Sequence, residues 1–274
     1  MRDDLFDKLG YLAGDDQRRA DELMEALLDP DVDAVFPLHG GYGAMRILDL
    51  LDYDAISRHP KIVVGFSDTT ALHAALNRRA GLVTFHSPAP LGFFGKPGER
   101  DPFTWQSFER AVFATERTAY SVQIPENVRP IEWLGSGRAT GRLVGGNLSL
   151  ISALEGTPYA IDCRDAILLI EDLREAPYRV DRMLRQLQLA GKLDTLRGAV
   201  LGAFTLNYDR EKDQMTDDPR FSVDGVLRQY FADRSIPVLM HFPVGHQTHN
   251  ATLPLGGVVE IDAYAGTLRV FPPE

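Results

Sequence analysis

Apolar positions along this chain alternate between a helical rhythm and short continuous runs. The segment "DQRRADELMEALLD" has helical apolar spacing, with Asp15 or Asp16 placed to cap its start. "DAVFPL" then reads as a short buried strand, and "GGYGAMRILDLLD" as a glycine-rich turn opening a helix. The strand "PKIVVGF" is followed by the helix "TTALHAALNRRAG", ended by Gly81, and by the strand "LVTFHS". An amphipathic helix, "FTWQSFERAVFA", closes this half. Strands alternating with helices predict an α/β fold, here a doubly wound, mostly parallel N-terminal sheet covered by helices.

The rhythm breaks in residues 118–142, where "IPENVRP" and "LGSGRATG" concentrate proline and glycine. This predicts an N-terminal domain over 1–117, a linker over 118–142 and a C-terminal domain over 143–274. The last region reads as helix "GNLSLISALEG", strand "AILLIED", helix "PYRVDRMLRQLQLAG" and strand "LRGAVLGAF". The charged loop "TLNYDREKDQMTDDPRF" and a further helix lead to "IPVLMHFPVGHQTHNATLPLGG", and two short strands, "VVEIDA" and "TLRVFP", end the chain.

Composition narrows the setting. Apolar residues make up 44% of the 274 and charged residues 25%, a globular mixture. A net charge of −10 argues against a nucleic-acid partner, which needs clustered Lys and Arg. The single cysteine, Cys163, can form no internal disulfide and fits a reducing compartment. No apolar run approaches the ~20 residues that span a bilayer, and the polar start "MRDDLFDKLGYLAGDD" has no signal-peptide core. A cytoplasmic protein without a membrane partner is expected.

Ser67 is the first chemical candidate. It stands between a strand and a helix, where open α/β sheets gather their reactive groups. One reading makes it a helix cap. The other makes it a nucleophile on a tight elbow, with Gly65 two residues before but Thr69 where a second glycine is usual. Such a serine needs a base and a carboxylate. Of the seven histidines, His59 and His73 look structural and His86 stays open by pattern. His246, in the loop "FPVGHQTHN", suits a side chain reaching into a cleft, although a lone loop histidine is commonly a surface residue. His241, His246 and His249 come with neither HExxH nor CxxC, so no metal is expected. Glu171 and Asp172 end the most apolar strand of the second half. They could cap a helix, hold magnesium or orient a histidine. The magnesium reading needs a phosphate loop, and "GFFGKPG" has Pro97 where Ser or Thr is required.

Five motifs in order then carry a resemblance: "GGYGAMRILDLLDYDAI", "GFSDTTALHAAL", "GNLSLISALEGTPY", "LLIEDLREAPYRVDRMLRQL" and "GHQTHNATLPLG". Together the chain resembles the family of LD-carboxypeptidases and microcin C self-immunity serine peptidases. The resemblance implies a cytoplasmic, cofactor-free hydrolase, commonly a homodimer, with a strand-rich C-terminal domain. It places the nucleophile on Ser67, the carboxylate on Glu171 and the histidine on His246, a Ser-His-Glu triad. Backbone N–H groups of Asp68 and Gly41 are the expected oxyanion donors. The implied reaction releases terminal D-alanine from a cell-wall tetrapeptide or muropeptide. The alternatives are cleavage of a peptidyl-nucleotide, as in microcin immunity, and a shortened, non-catalytic binding protein. Two departures stand out: His39 occupies the place of the family's arginine before GGYG, and the family's upstream strand and helix are expected to be missing.

Overall fold

The computed structural model describes residues 8–90, 101–113, 118–205 and 217–272. The stretch "GFFGKPG" and most of the charged loop after Thr205 lie outside the described residues. The chain runs through α1 (Asp16–Leu28), β1 (Ala34–Val35), a 3₁₀ helix (Ala44–Leu50), α2 (Tyr53–Arg58), β2 (Ile62–Gly65), α3 (Thr70–Ala75), β3 (Thr84–His86) and α4 (Pro102–Phe108). It continues through β4 (Tyr120–Ser121), β5 (Glu132–Leu134), β6 (Arg138–Asn147), α5 (Leu148–Leu154), β7 (Ile167–Leu173), α6 (Pro177–Leu189) and β8 (Gly198–Thr205). The last elements are α7 (Val223–Phe231), β9 (Val238–Met240), β10 (Leu253–Leu255), β11 (Val258–Asp262) and β12 (Thr267–Val270).

The architecture is α/β, with two sheets. The smaller has the order β1-β2-β3-β10 and is mixed: β1, β2 and β3 run parallel, and β10 joins β3 antiparallel. The larger has the order β4-β12-β11-β6-β7-β8-β9-β5. Its centre, β6 to β9, is parallel, and its flanks are antiparallel. β7 explains the centre: Ile167 to Asp172 are all buried, as a parallel strand covered on both faces requires.

The glycine- and proline-rich stretch 118–142, expected as a linker, contains β4, β5 and the first half of β6, all paired into the larger sheet. Its glycines serve turns and a strand that runs close to its neighbour. β10 supplies the other departure from simple order. It lies late in the chain yet completes the early sheet, pairing Leu253 with His86 and Leu255 with Thr84. The halves also share one core, in which Ala71 and Leu72 of α3 pack with Leu148 and Ile151 of α5. Burying each such leucine or isoleucine contributes roughly 1.5–3 kcal/mol. The crevice between the sheets is therefore fixed from both sides.

Candidate active site

β2 enters the site as "IVVG", and Phe66 is still extended at φ −154°. Ser67 then turns to φ 60°, a left-handed conformation that costs a residue with a Cβ about 1–2 kcal/mol. The chain passes through one 3₁₀ turn into α3. Gly65 permits this reversal, because a Cβ there would stand 2.8 Å from Thr69 Cγ2. Among the described residues Ser67 makes no side-chain cap to the helix that follows. The elbow is tied down elsewhere. Asp68 Oδ2 accepts from the Ala44 N–H at 2.8 Å, joining the turn to the end of the glycine loop, and burial raises its carboxyl pKa. Thr70 Oγ1 accepts from the Asn147 N–H at 3.0 Å, joining it to the larger sheet.

His246 comes from the loop between β9 and β10. Gly245 N–H donates to Asn250 Oδ1 at 2.9 Å, and Ala203 N–H donates to Val244 O, so the loop is held against β8. The Nδ1–H of His246 donates to Glu171 Oε2 at 2.6 Å. That bond directs Nε2, with its lone pair, away from the carboxylate. Gly245 makes the approach possible, since a Cβ there would lie 2.6 Å from Glu171 Oε2.

Glu171 and Asp172 are adjacent and buried, and they face opposite sides of β7. Burial pushes the Glu171 carboxyl upward, but His246 and His86 outweigh it and hold it down at about 2. Asp172 goes the other way. It accepts from Asn147 Nδ2 (2.9 Å), from Ser149 N–H and Oγ, and from its own neighbour's Leu173 N–H. Burial still dominates and raises it to about 6. Asp172 thus caps α5, and Glu171 alone orients a histidine.

Ser67 and His246 line one cavity of about 850 Å³, with Gly40, Gly41 and His39 on one wall and Trp105 and Arg174 on others. Phe66 packs on the His246 ring with centroids 4.6 Å apart. The other loop histidines go elsewhere: His249 pairs with Asp101 at 2.8 Å, and His241 lies 3.7 Å from Asp224. Among the described residues no three His, Cys, Asp or Glu side chains form a metal-ligand group. Arg174 is the feature sequence reasoning missed. It is exposed, sits at φ 60°, and among the described residues has no carboxylate partner. Its only prior signal was its place in the motif "IEDLREAPYR".

The LD-carboxypeptidase N-terminal domain family matches residues 1–87, and the C-terminal domain family matches residues 140–261. The chain is 39% identical to a probable murein peptide carboxypeptidase of Bacillus subtilis, over 90% of this chain and 74% of the relative. Among solved structures it resembles the microcin C7 self-immunity protein in complex with aspartyl sulfamoyl adenosine (TM-score 0.86, 30% identity, 98% of this chain and 85% of that one). It also resembles a muramoyltetrapeptide carboxypeptidase of Oxalobacter formigenes (TM-score 0.79, 31% identity, 96% and 85%). These are small peptide and nucleotide-like chemistries. Among the described residues no helix is long and apolar enough to cross a membrane.

One expectation is corrected by these relatives. The active-site mutant of the microcin C7 self-immunity protein replaces a serine, an asparagine and a lysine by alanine, so the active centre there is not described by a Ser-His-Glu triad. The physical reason is that an amide hydrolase must hold a charged substrate as well as move a proton, which takes amide and cationic groups. Asn147 and Arg174 stand as many positions apart in this chain as that asparagine and lysine do. The family matches and the relatives agree in sequence and in fold: the chain belongs to the LD-carboxypeptidase family.

Proposed function

We propose that the protein hydrolyses the amide bond to a terminal D-amino acid in a small peptide, releasing D-alanine from cell-wall tetrapeptides during murein recycling. The observation that carries this reading is that His246 lines the same cavity as the strained Ser67 and is bonded from behind, at 2.6 Å, to the buried Glu171. In this reading the active centre is not a closed triad but includes Asn147 and Arg174, and Nε2 of His246 takes the Ser67 proton as the hydroxyl attacks the scissile carbonyl. Glu171 holds the ring tautomer and offsets the charge of the imidazolium. The N–H groups of Asp68 and Gly41 receive the oxyanion. Arg174 pairs with the substrate's terminal carboxylate, and Asn147 keeps the end of β6 against Asp172. The His246 imidazolium gives that proton to the departing amine of D-alanine; water then attacks the acyl-enzyme, passing a proton to His246, which hands it to Ser67 as the acid product leaves. The lone, buried Cys163 suits the reducing cytoplasm in which recycled muropeptides are processed.

A second reading has its own support. Phe66 and Trp105 offer aromatic faces on the cavity wall, where the base of a peptidyl-nucleotide could stack. Incubating the purified protein with a murein tetrapeptide and, separately, with a peptidyl-adenylate decides between the two. D-alanine release from the tetrapeptide, abolished in Ser67→Ala, is expected. Turnover of the adenylate alone overturns the first reading in favour of the second.

A further inference from the structure

Glu171 has two carboxylate oxygens, and His246 uses only one of them. Oε2 accepts from His246, while Oε1, although buried, has no hydrogen-bond partner among the described residues. Opposite Oε1 stands His86 of β3, fully buried, with Nε2 3.8 Å away and neither ring nitrogen bonded among the described residues. Three unbonded polar atoms thus meet in one buried place. Each costs about 1–3 kcal/mol if left so. A shift of about 1 Å brings Nε2 and Oε1 within hydrogen-bond distance and removes two of the three.

We propose that His86 is a positioning residue, donating from Nε2 to Oε1 of Glu171 so that the carboxylate bridges two histidines, one from β3 and one from the loop between β9 and β10. The inference rests on the reading of His246 as the base of the reaction. Its geometry is built into the fold. His86 sits beside Gly65 in the register of β2 and β3, two residues before Ser67. Phe66 touches both rings, with centroids 6.0 Å from His86 and 4.6 Å from His246. A donor on Oε1 stops the carboxylate from rotating and withdraws part of its charge from His246. The titratable groups facing His86 are Glu171 from β7, His246 beyond it, and His73 from α3, which bonds to Gly65 O at 2.9 Å.

The test combines two variants with one measurement on the unaltered protein. His86→Phe keeps a ring but removes the donor, and His86→Gln restores an N–H. Labelling of Ser67 by a fluorophosphonate is followed against pH for both. His86→Phe is expected to slow labelling about a hundredfold, the scale of a misplaced reacting group. Its lower pH limb should also move upward, because His246 then feels the whole carboxylate charge. His86→Gln should recover most of both. A phenylalanine variant with the unaltered rate and pH limb overturns the proposal. So does ¹⁵N NMR of the native protein, independent of variant folding, if it finds His86 protonated at Nδ1 and not at Nε2. His246→Ala is labelled in parallel. If it reacts as fast as the native protein, the reading of His246 as base has failed. If it is slow while His86→Phe is fast, only the bridge has failed.

Discussion

At the scale of single residues, the adjacent acids of β7 show how position decides chemistry. Both are buried, yet Glu171 is held at about 2 and Asp172 is raised to about 6. Glu171 has a folded pKa below its unfolded value. Its contribution to stability is present above about pH 4.3 and is lost as pH falls toward 2. Asp172 has the opposite sign. Its contribution is present below about pH 3.9 and is lost as pH rises through 6, a change of roughly 2–3 kcal/mol. Asp172→Asn should therefore flatten the stability profile between pH 4 and 6, measured by urea unfolding across that range. An unchanged slope would assign it to another group. Glu171→Gln should lower kcat on the order of 10⁴-fold, since the histidine loses both its tautomer lock and its counter-charge. Arg174→Ala should instead raise KM for peptides with a free terminal carboxylate and leave an amidated analogue unaffected. Steady-state kinetics on the matched pair separates those effects. Ser67, Glu171 and His246 stood out through the family resemblance, since their places at strand ends or in a glycine-flanked loop left each with a structural reading as well. Arg174 and His86 did not. An arginine among charged loop residues has no periodicity, and His86 acquires meaning only from Glu171, which lies on another sheet.

At the scale of elements, the apolar runs were legible wherever burial is two-sided. "AILLIED" and "LRGAVLGAF" read directly as β7 and β8. β6 was hidden because "RATGRLVGGN" spends its positions on glycine, which resembles a linker. The structure explains the choice: a Cβ at Gly145 would come within 1.9 Å of Leu169 O, so the strand is glycine-rich through close packing and not through flexibility. β10 was hidden by its brevity and by Pro254. At the elbow, local strain at Ser67 and close contact at Gly65 meet within three residues. Gly65→Ala should push Thr69 out of the turn and displace Ser67. We expect a loss of about 1–3 kcal/mol, as for overpacked cores, together with slower fluorophosphonate labelling. Native labelling in a destabilised variant would separate the turn's geometry from its stability.

At the scale of the whole molecule, the question is whether the two sheets behave as one cooperative body. The sequence suggested two domains and a linker, because proline and glycine clusters separate two sets of alternating elements. It could not show that β10, far along the chain, would pair with β3. Nor could it show that α3 and α5 would share a core. Both features couple the halves, and the Ser67 elbow and His246 loop each lean on a partner from the other half through Thr70–Asn147 and Leu253–His86. Such coupling makes partial opening expensive, since exposing either half would strip apolar surface from both. The two tryptophans allow a direct measurement, because Trp105 lies on α4 near the small sheet and Trp133 lies on β5 of the large one. Trp105→Phe and Trp133→Phe each leave a single reporter. Their unfolding midpoints in urea should coincide with each other and with far-UV circular dichroism, as two-state behaviour requires. If the Trp105 signal is lost at a distinctly lower urea concentration, the small sheet opens on its own. The site would then be assembled by docking of one half onto the other, and labelling of Ser67 would disappear with that first transition.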